Sequence, residues 1–204
     1  MAMIIKETVR GFDCVALEDE LLQSREIFLT DEVNPETTNE LMKQLMYLER
    51  QDDKAEITLY INSPGGEVTS GLAVYDYLTM MRAPIRTVTI GTAASMGAIL
   101  FLAGDRRQML PHTRIMIHDP SYGNANMSGK KPHEIQHELD QVNKTRETIA
   151  SIISEKTGRS LEEVYAVTAD DTYYNAEEAV EFGLATEILD AKTLKKNGEK
   201  SYTK

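Results

Sequence analysis

From Asn34 onward the chain alternates helix-like and strand-like stretches, and that alternation leaves it few folds to adopt. Asn34-Pro35-Glu36 reads as a helix start, with proline at the first helical position and an acid in the first turn. Leu41, Leu45 and Leu48 then recur at helical spacing until Asp52-Asp53. Ile57-Thr58-Leu59-Tyr60-Ile61, β-branched and aromatic, predicts a strand that runs into the turn Asn62-Ser63-Pro64-Gly65-Gly66. A second helix is expected from Val68 to about Arg82, with Leu72, Tyr75 and Leu78 on one stripe, ending before Pro84. A strand over 86–90 leads into a second small-residue turn, 91–97, which opens an apolar helix. Short strands are expected over 108–110 and 114–117, and a loop over 121–131. A long amphipathic helix follows from about Pro132 to Lys156, then short helices over 161–166 and 176–182 and a last strand over 186–189. Strands separated by helices imply an α/β fold with parallel pairing. The helix after Lys131 is too long for a simple crossover and is expected to project from the body. Residues 1 to about 20 show no clear pattern.

Composition narrows the function classes. With 41% hydrophobic and 27% charged residues, the 204-residue chain suits one ordered domain rather than a disordered segment. The central apolar run Ala98-Ile99-Leu100-Phe101-Leu102-Ala103 is far too short to cross a bilayer, and the first residues do not read as a secretory signal. A single cysteine, Cys14, cannot form an internal disulfide, so a reducing compartment, the cytoplasm, is expected. A net charge of −11 disfavours nucleic acid, whose phosphates require clustered Lys and Arg. The basic tail, with Lys192, Lys195, Lys196, Lys200 and Lys204, reads as a solvated terminus.

Chemistry concentrates at the two small-residue turns. A turn at a strand end leaves backbone N–H groups free to face a ligand, and glycine lets that ligand approach closely. Ser95 lies in the second turn between Ala94 and Met96, where a helix N-terminus favours developing negative charge. By position alone it fits a helix cap as well as a nucleophile. The spacing is not that of a Gly-x-Ser-x-Gly elbow, because Ala93 stands at its first glycine. Of the four histidines, His118 closes the strand Arg114-Ile115-Met116-Ile117, whereas His112 sits in a turn. His133-Glu134-Ile135-Gln136-His137 spells the zinc-peptidase pattern H-E-x-x-H, and Glu155, eighteen residues after His137, could be proposed as a third ligand. The flanking Pro132, Glu138, Asp140 and Lys144 read instead as a polar stripe, and no metal is expected.

Four blocks in order carry a resemblance: Tyr60-Ile61-Asn62-Ser63-Pro64-Gly65-Gly66; Ala93-Ala94-Ser95-Met96-Gly97; Leu110-Pro111 with Arg114-Ile115-Met116-Ile117-His118; and Ala176-Glu177-Glu178-Ala179-Val180-Glu181-Phe182-Gly183-Leu184. Together they resemble the proteolytic subunit of the Clp protease, the ClpP family of serine peptidases. The resemblance implies Ser95 as nucleophile, His118 as general base and Asp171, rather than its neighbour Asp170, as the acid that orients the base. It implies the backbone N–H groups of Gly66 and Met96 as the oxyanion hole, and an acyl-enzyme intermediate.

The implied fold is the α/β ClpP/crotonase-like fold of repeated β-β-α units with a projecting handle helix. One domain would span 1–204, with an N-terminal axial segment over about 1–20, a handle over about 124–157 and a flexible tail over about 190–204. The implied assembly is a homo-oligomer of heptameric rings stacked as a tetradecamer. Unfolded polypeptides would be fed to it by an AAA+ unfoldase of the ClpX, ClpA or ClpC type. ATP would be used by that partner, and this chain itself would need no cofactor. Tyr60, Leu110 and Leu189 match the family's apolar docking pocket, although Thr58 and Gln108 replace apolar residues there. Asp170 stands where the family usually has a ring-bridging arginine. The N-terminal region and the segment around 124–136, which lacks the usual Gly-Gln turn, also depart from the pattern. A non-catalytic ring subunit, or acyl-CoA chemistry on the crotonase fold, are the alternatives that an intact Ser-His-Asp set disfavours.

Overall fold

In a computed structural model, which describes residues 2–9, 11–121 and 129–189, the alternation resolves into a mostly parallel sheet with helices around it. The tail over 190–204 and most of the 121–131 loop lie outside the described residues. The N-terminal residues form a separate antiparallel hairpin, β1 (Met3–Thr8) and β2 (Gly11–Ala16), followed by α1 (Leu17–Gln23). The alternating body then begins with β3 (Glu26–Leu29), α2 (Pro35–Gln51), β4 (Ile57–Ser63), α3 (Val68–Met80), β5 (Ile85–Ala94) and α4 (Met96–Leu102). It continues through β6 (Arg106–Met109), β7 (Arg114–Ile117), α5 (Pro132–Thr157), α6 (Leu161–Thr168), β8 (Thr172–Tyr174), α7 (Ala176–Phe182) and β9 (Glu187–Ile188).

Local signals account for most helix starts. Asn34 caps α2 by accepting from the N–H groups of Glu36 and Thr37, and the Thr37 hydroxyl accepts from the Asn34 N–H in return. Ser160 and Asn175 make the same reciprocal box with Glu163 and Glu178 at α6 and α7. Helix α4 has no polar residue, and it is buried on every side, as a uniformly apolar helix must be. It packs with Leu45, Leu48, Leu59 and Ile61 in a single core. By contrast, α5 buries only Ile149, Ala150 and Ile153, so its N-terminal half stands clear of the body. Among the described residues, no helix is long and apolar enough to cross a membrane.

The sheet forks, and the fork makes the site. Strands run in the order β3-β4-β5-β6-β9, all parallel, with β5 paired to β6 from Arg86↔Arg106 to Thr89↔Met109. Past Ile90, β5 changes partner and pairs with β7 from Thr92↔Arg114 to Ala94↔Met116. The stretch expected to be a turn from Gly91 is therefore strand as far as Ala94, because β7, distant in sequence, supplies a ladder for it. At the fork the Thr92 N–H donates to Asn62 Oδ1 at 2.9 Å, and a Cβ on Gly91 would lie 2.2 Å from that oxygen. Only glycine admits the carboxamide there. Strand β8, which no sequence signal announced, pairs antiparallel with β7.

One residue outside the site bears unusual weight. Arg25 has φ 62° and directs its guanidinium into the turn after α2, donating to the carbonyls of Leu48 (3.0 Å), Asp52 (2.9 Å), Ala55 (2.9 Å) and Glu56 (3.2 Å). A cation there also suits the helix C-terminus. Arg25→Ala is expected to cost about 2–3 kcal/mol from the lost charge-assisted bonds. A thermal melt should then show a Tm roughly 5–10 °C lower. Arg25→Lys should recover less than half of that fall, because an ammonium lacks the planar fork that serves several carbonyls.

Candidate active site

Ser95 lies where β5 ends and α4 begins, in a backbone conformation few side chains adopt: φ 52°, ψ −123°. A non-glycine residue held in such a region stores roughly 1–3 kcal/mol, which its surroundings must hold in place. Here the Ser95 N–H donates to Met116 O at 2.9 Å, and its carbonyl accepts from the N–H groups of Ala98 and Ile99. The twist turns the side chain away from the helix. Ser95 makes no side-chain cap, so the capping alternative fails, and Oγ instead lies 2.9 Å from His118 Nε2.

The ladder between β7 and β8 decides what meets the other face of that imidazole. Ile115↔Tyr174, Met116↔Tyr173 and Ile117↔Thr172 are paired, so the next position of the same register sets His118 opposite Asp171. His118 Nδ1 lies 3.1 Å from Asp171 Oδ1. Asp170, one residue earlier, is exposed like Asp171, and among the described residues its contact is through its carbonyl, to the Thr172 hydroxyl. A carboxylate can only accept, so a proton on Nδ1 would face Asp171 and leave Nε2 to accept from the Ser95 hydroxyl. Ser95, His118 and Asp171 thus lie in line, with a hydrogen bond between the first two and a 3.1 Å contact between the last two.

The first glycine-rich turn packs onto this chain. A Cβ on Gly65 would lie 2.6 Å from both Ala94 O and Ser95 Cβ and 2.9 Å from Met96 N. Gly66 forms a parallel bridge with Val33: the Val33 N–H donates to Gly65 O and the Glu67 N–H to Val33 O, both at 2.7 Å. Amides alternate in direction along extended backbone, so the Gly66 N–H faces away from Val33. The Met96 N–H belongs to the first turn of α4, where a helix supplies no acceptor of its own. Beside Ser95 and His118 opens a pocket walled by Val68, Met96, Ile99, Ile117, Ile149 and Ile153. Its last two wall residues come from α5, from the apolar side of the helix read as amphipathic.

Other residues singled out in the sequence stand apart from this cluster. Tyr60, Leu110 and Leu189 share the outer sheet face, but polar groups stand between them. Gln108 bonds Glu187, which also pairs with Arg106, and Arg86 bonds Thr58 and pairs with Glu56. The Gln108 bond, seconded by Arg106, holds the Glu187 carboxyl below the usual range. Tyr60 stacks on Phe28 at 4.9 Å and donates to Glu26, and burial together with that bond pushes its phenol up to about 12. Leu189 is buried, and its N–H donates to Met109 O. His133 and His137 lie on α5 near a Lys130–Glu138 ion pair, and Glu134 accepts from the Lys131 N–H at the helix start. Glu155 sits eighteen residues further along the same helix, about 27 Å at 1.5 Å per residue, and cannot complete a metal site with them. Among the described residues, no group of three or more His, Cys, Asp or Glu could hold a metal ion.

The match to known proteins agrees with this architecture. A family model described as Clp protease covers residues 9–192, which takes in every element from β2 to β9. The chain belongs to the Clp protease family and is a peptidase of the kind that family's proteolytic subunit represents.

Proposed function

We propose that this peptidase is a serine endopeptidase in which Ser95 is the nucleophile, His118 the general base and Asp171 the group that orients it. The observation that carries the reading is the alignment of Asp171, His118 and Ser95, with 3.1 Å between Asp171 and His118 and 2.9 Å between His118 and a serine held at φ 52°. In the first step Ser95 Oγ attacks the scissile carbonyl while its proton passes to His118 Nε2. The oxyanion is received by the N–H groups of Gly66 and Met96, and α4 adds the positive end of its dipole. His118 then returns the proton to the leaving amine as the C–N bond breaks. Water, activated by the same imidazole, releases the acyl group and restores the hydroxyl. An apolar side chain next to the scissile carbonyl occupies the pocket walled by Ile99, Ile149 and Ile153.

The enzyme works in the cytoplasm as stacked heptameric rings, taking unfolded chains from an AAA+ unfoldase that docks near Tyr60, Leu110 and Leu189. ATP is consumed by that partner, and the chain itself uses no metal or cofactor. Support for this part comes from family membership and from the half of α5 that stands clear of the body.

A fluorophosphonate probe with peptide mapping tests the chemistry. A single adduct on Ser95 is expected, with labelling unchanged by a chelator. Activity lost on chelation, together with no adduct on Ser95, would sink the reading.

A further inference from the structure

The His118–Asp171 pair has a support that reaches out to the projecting helix. His118 is followed by Asp119, and these two residues face the short segment that joins α6 to β8. His118 meets Asp171 at one end of that segment, and Asp119 meets Thr168 at the other. The second contact is double: the Asp119 N–H donates to Thr168 O at 2.6 Å, and the Thr168 hydroxyl donates to Asp119 Oδ1 at 2.7 Å. Thr168 is buried, at 2% exposure, so it forms a fixed anchor. The segment carrying Asp171 is thereby held at both ends, by Asp119 and by the Thr172↔Ile117 pair of the ladder.

What holds Asp119 is Arg146 of α5. Its Nε donates to Asp119 Oδ2 at 2.6 Å, while its guanidinium lies over the Tyr165 ring of α6, 4.4 Å from the centroid. Arg146 is the cation paired with the partly buried Asp119 carboxylate. Without it a partly buried carboxylate loses its counter-charge, and its favourable response is to rotate toward water and release Thr168. Arg146 also lies one helical turn before Ile149, a wall of the pocket beside Ser95.

We propose that Arg146 is a positioning residue for the His118–Asp171 pair, acting through Asp119 and Thr168, so that the seating of α5 sets the catalytic rate. This inference rests on the serine-peptidase reading. The rival role, in which Arg146 only seats α5 and shapes the pocket through Ile149, changes substrate binding instead.

Kinetics on the full chain separate the two. Arg146→Gln should lower kcat and the rate of Ser95 acylation by a fluorophosphonate about tenfold to a hundredfold, as small misplacements of catalytic groups do. KM for a short peptide substrate should stay nearly unchanged, and Arg146→Lys should restore most of the rate. Thr168→Val removes one hydroxyl from a buried site with little change of shape and should reproduce the fall in kcat without a matching fall in Tm. A raised KM with unchanged kcat in Arg146→Gln, or an unchanged kcat in Thr168→Val, overturns the proposal. If the unsubstituted chain fails to label at Ser95, the serine reading itself has failed, which is a different result.

Discussion

Replacing Ser95 with alanine is expected to lower peptide hydrolysis by about 10⁵-fold or more, the scale seen when a nucleophile is removed from a set of groups acting as a unit. His118→Ala should cost nearly as much, and the double variant no more than either single one. The reason is geometric: among the described residues the basic partner of Ser95 Oγ is His118 Nε2 at 2.9 Å, and in the proposed mechanism neither group acts without the other. Asp171→Asn should cost about 10³–10⁴-fold, because an amide at that position can favour the tautomer that places the proton on Nε2. Asp170→Asn should change the rate by no more than about threefold, as surface substitutions usually do. The five variants can be compared by initial rates on one chromogenic peptide. An Asp170→Asn loss exceeding that of Asp171→Asn would show that the orienting acid has been misassigned.

Gly65→Ala should rank next. At φ +92° the added Cβ is strained from the outset, and it would press on Ala94 O and Ser95 Cβ at 2.6 Å and on Met96 N at 2.9 Å. None of these atoms is the free end of a side chain, so relief requires the two turns to separate. That moves the Met96 N–H and the Ser95 hydroxyl together. Displacing one oxyanion donor alone costs about 10²–10³-fold in kcat, and this loss is expected to be at least as large. Gly158→Ala supplies the comparison, since Gly158 has φ +74° but nothing within 4 Å of its would-be Cβ. It should lower Tm by a few degrees through backbone strain alone and keep its activity. If Gly65→Ala retains activity within threefold of the unsubstituted chain, the close packing of the two turns is not what holds the site.

Much of this was legible one segment at a time. Asn34-Pro35 gave the start of α2, the β-branched run at Ile57 gave β4, and the apolar stretch after Ser95 gave a buried helix, because each signal is local. Strand β8 was not, since three residues with no period of their own become strand only by pairing with β7. Strand β5 was read too short for a similar reason, its last residues belonging to a ladder whose other half lies beyond two further elements. The Asp119–Arg146–Thr168 contacts left no trace in the sequence beyond an acid beside His118, because they join three elements at once.

At Ser95 the division is clearest. The amino-acid order alone determined that a small-residue turn would end a strand and start an apolar helix there, with a histidine closing a later strand. It left that serine open as cap or nucleophile, and it left two adjacent acids as candidates until the family resemblance favoured one. Only the tertiary structure decided the contacts. Pairing with β7 extends β5 to Ala94 and twists Ser95 out of cap geometry, and the β7–β8 register sets Asp171, not Asp170, opposite His118. Local periodicity specifies which way a backbone runs, but which side chains meet depends on strand register, and register is set by partners far away in the chain.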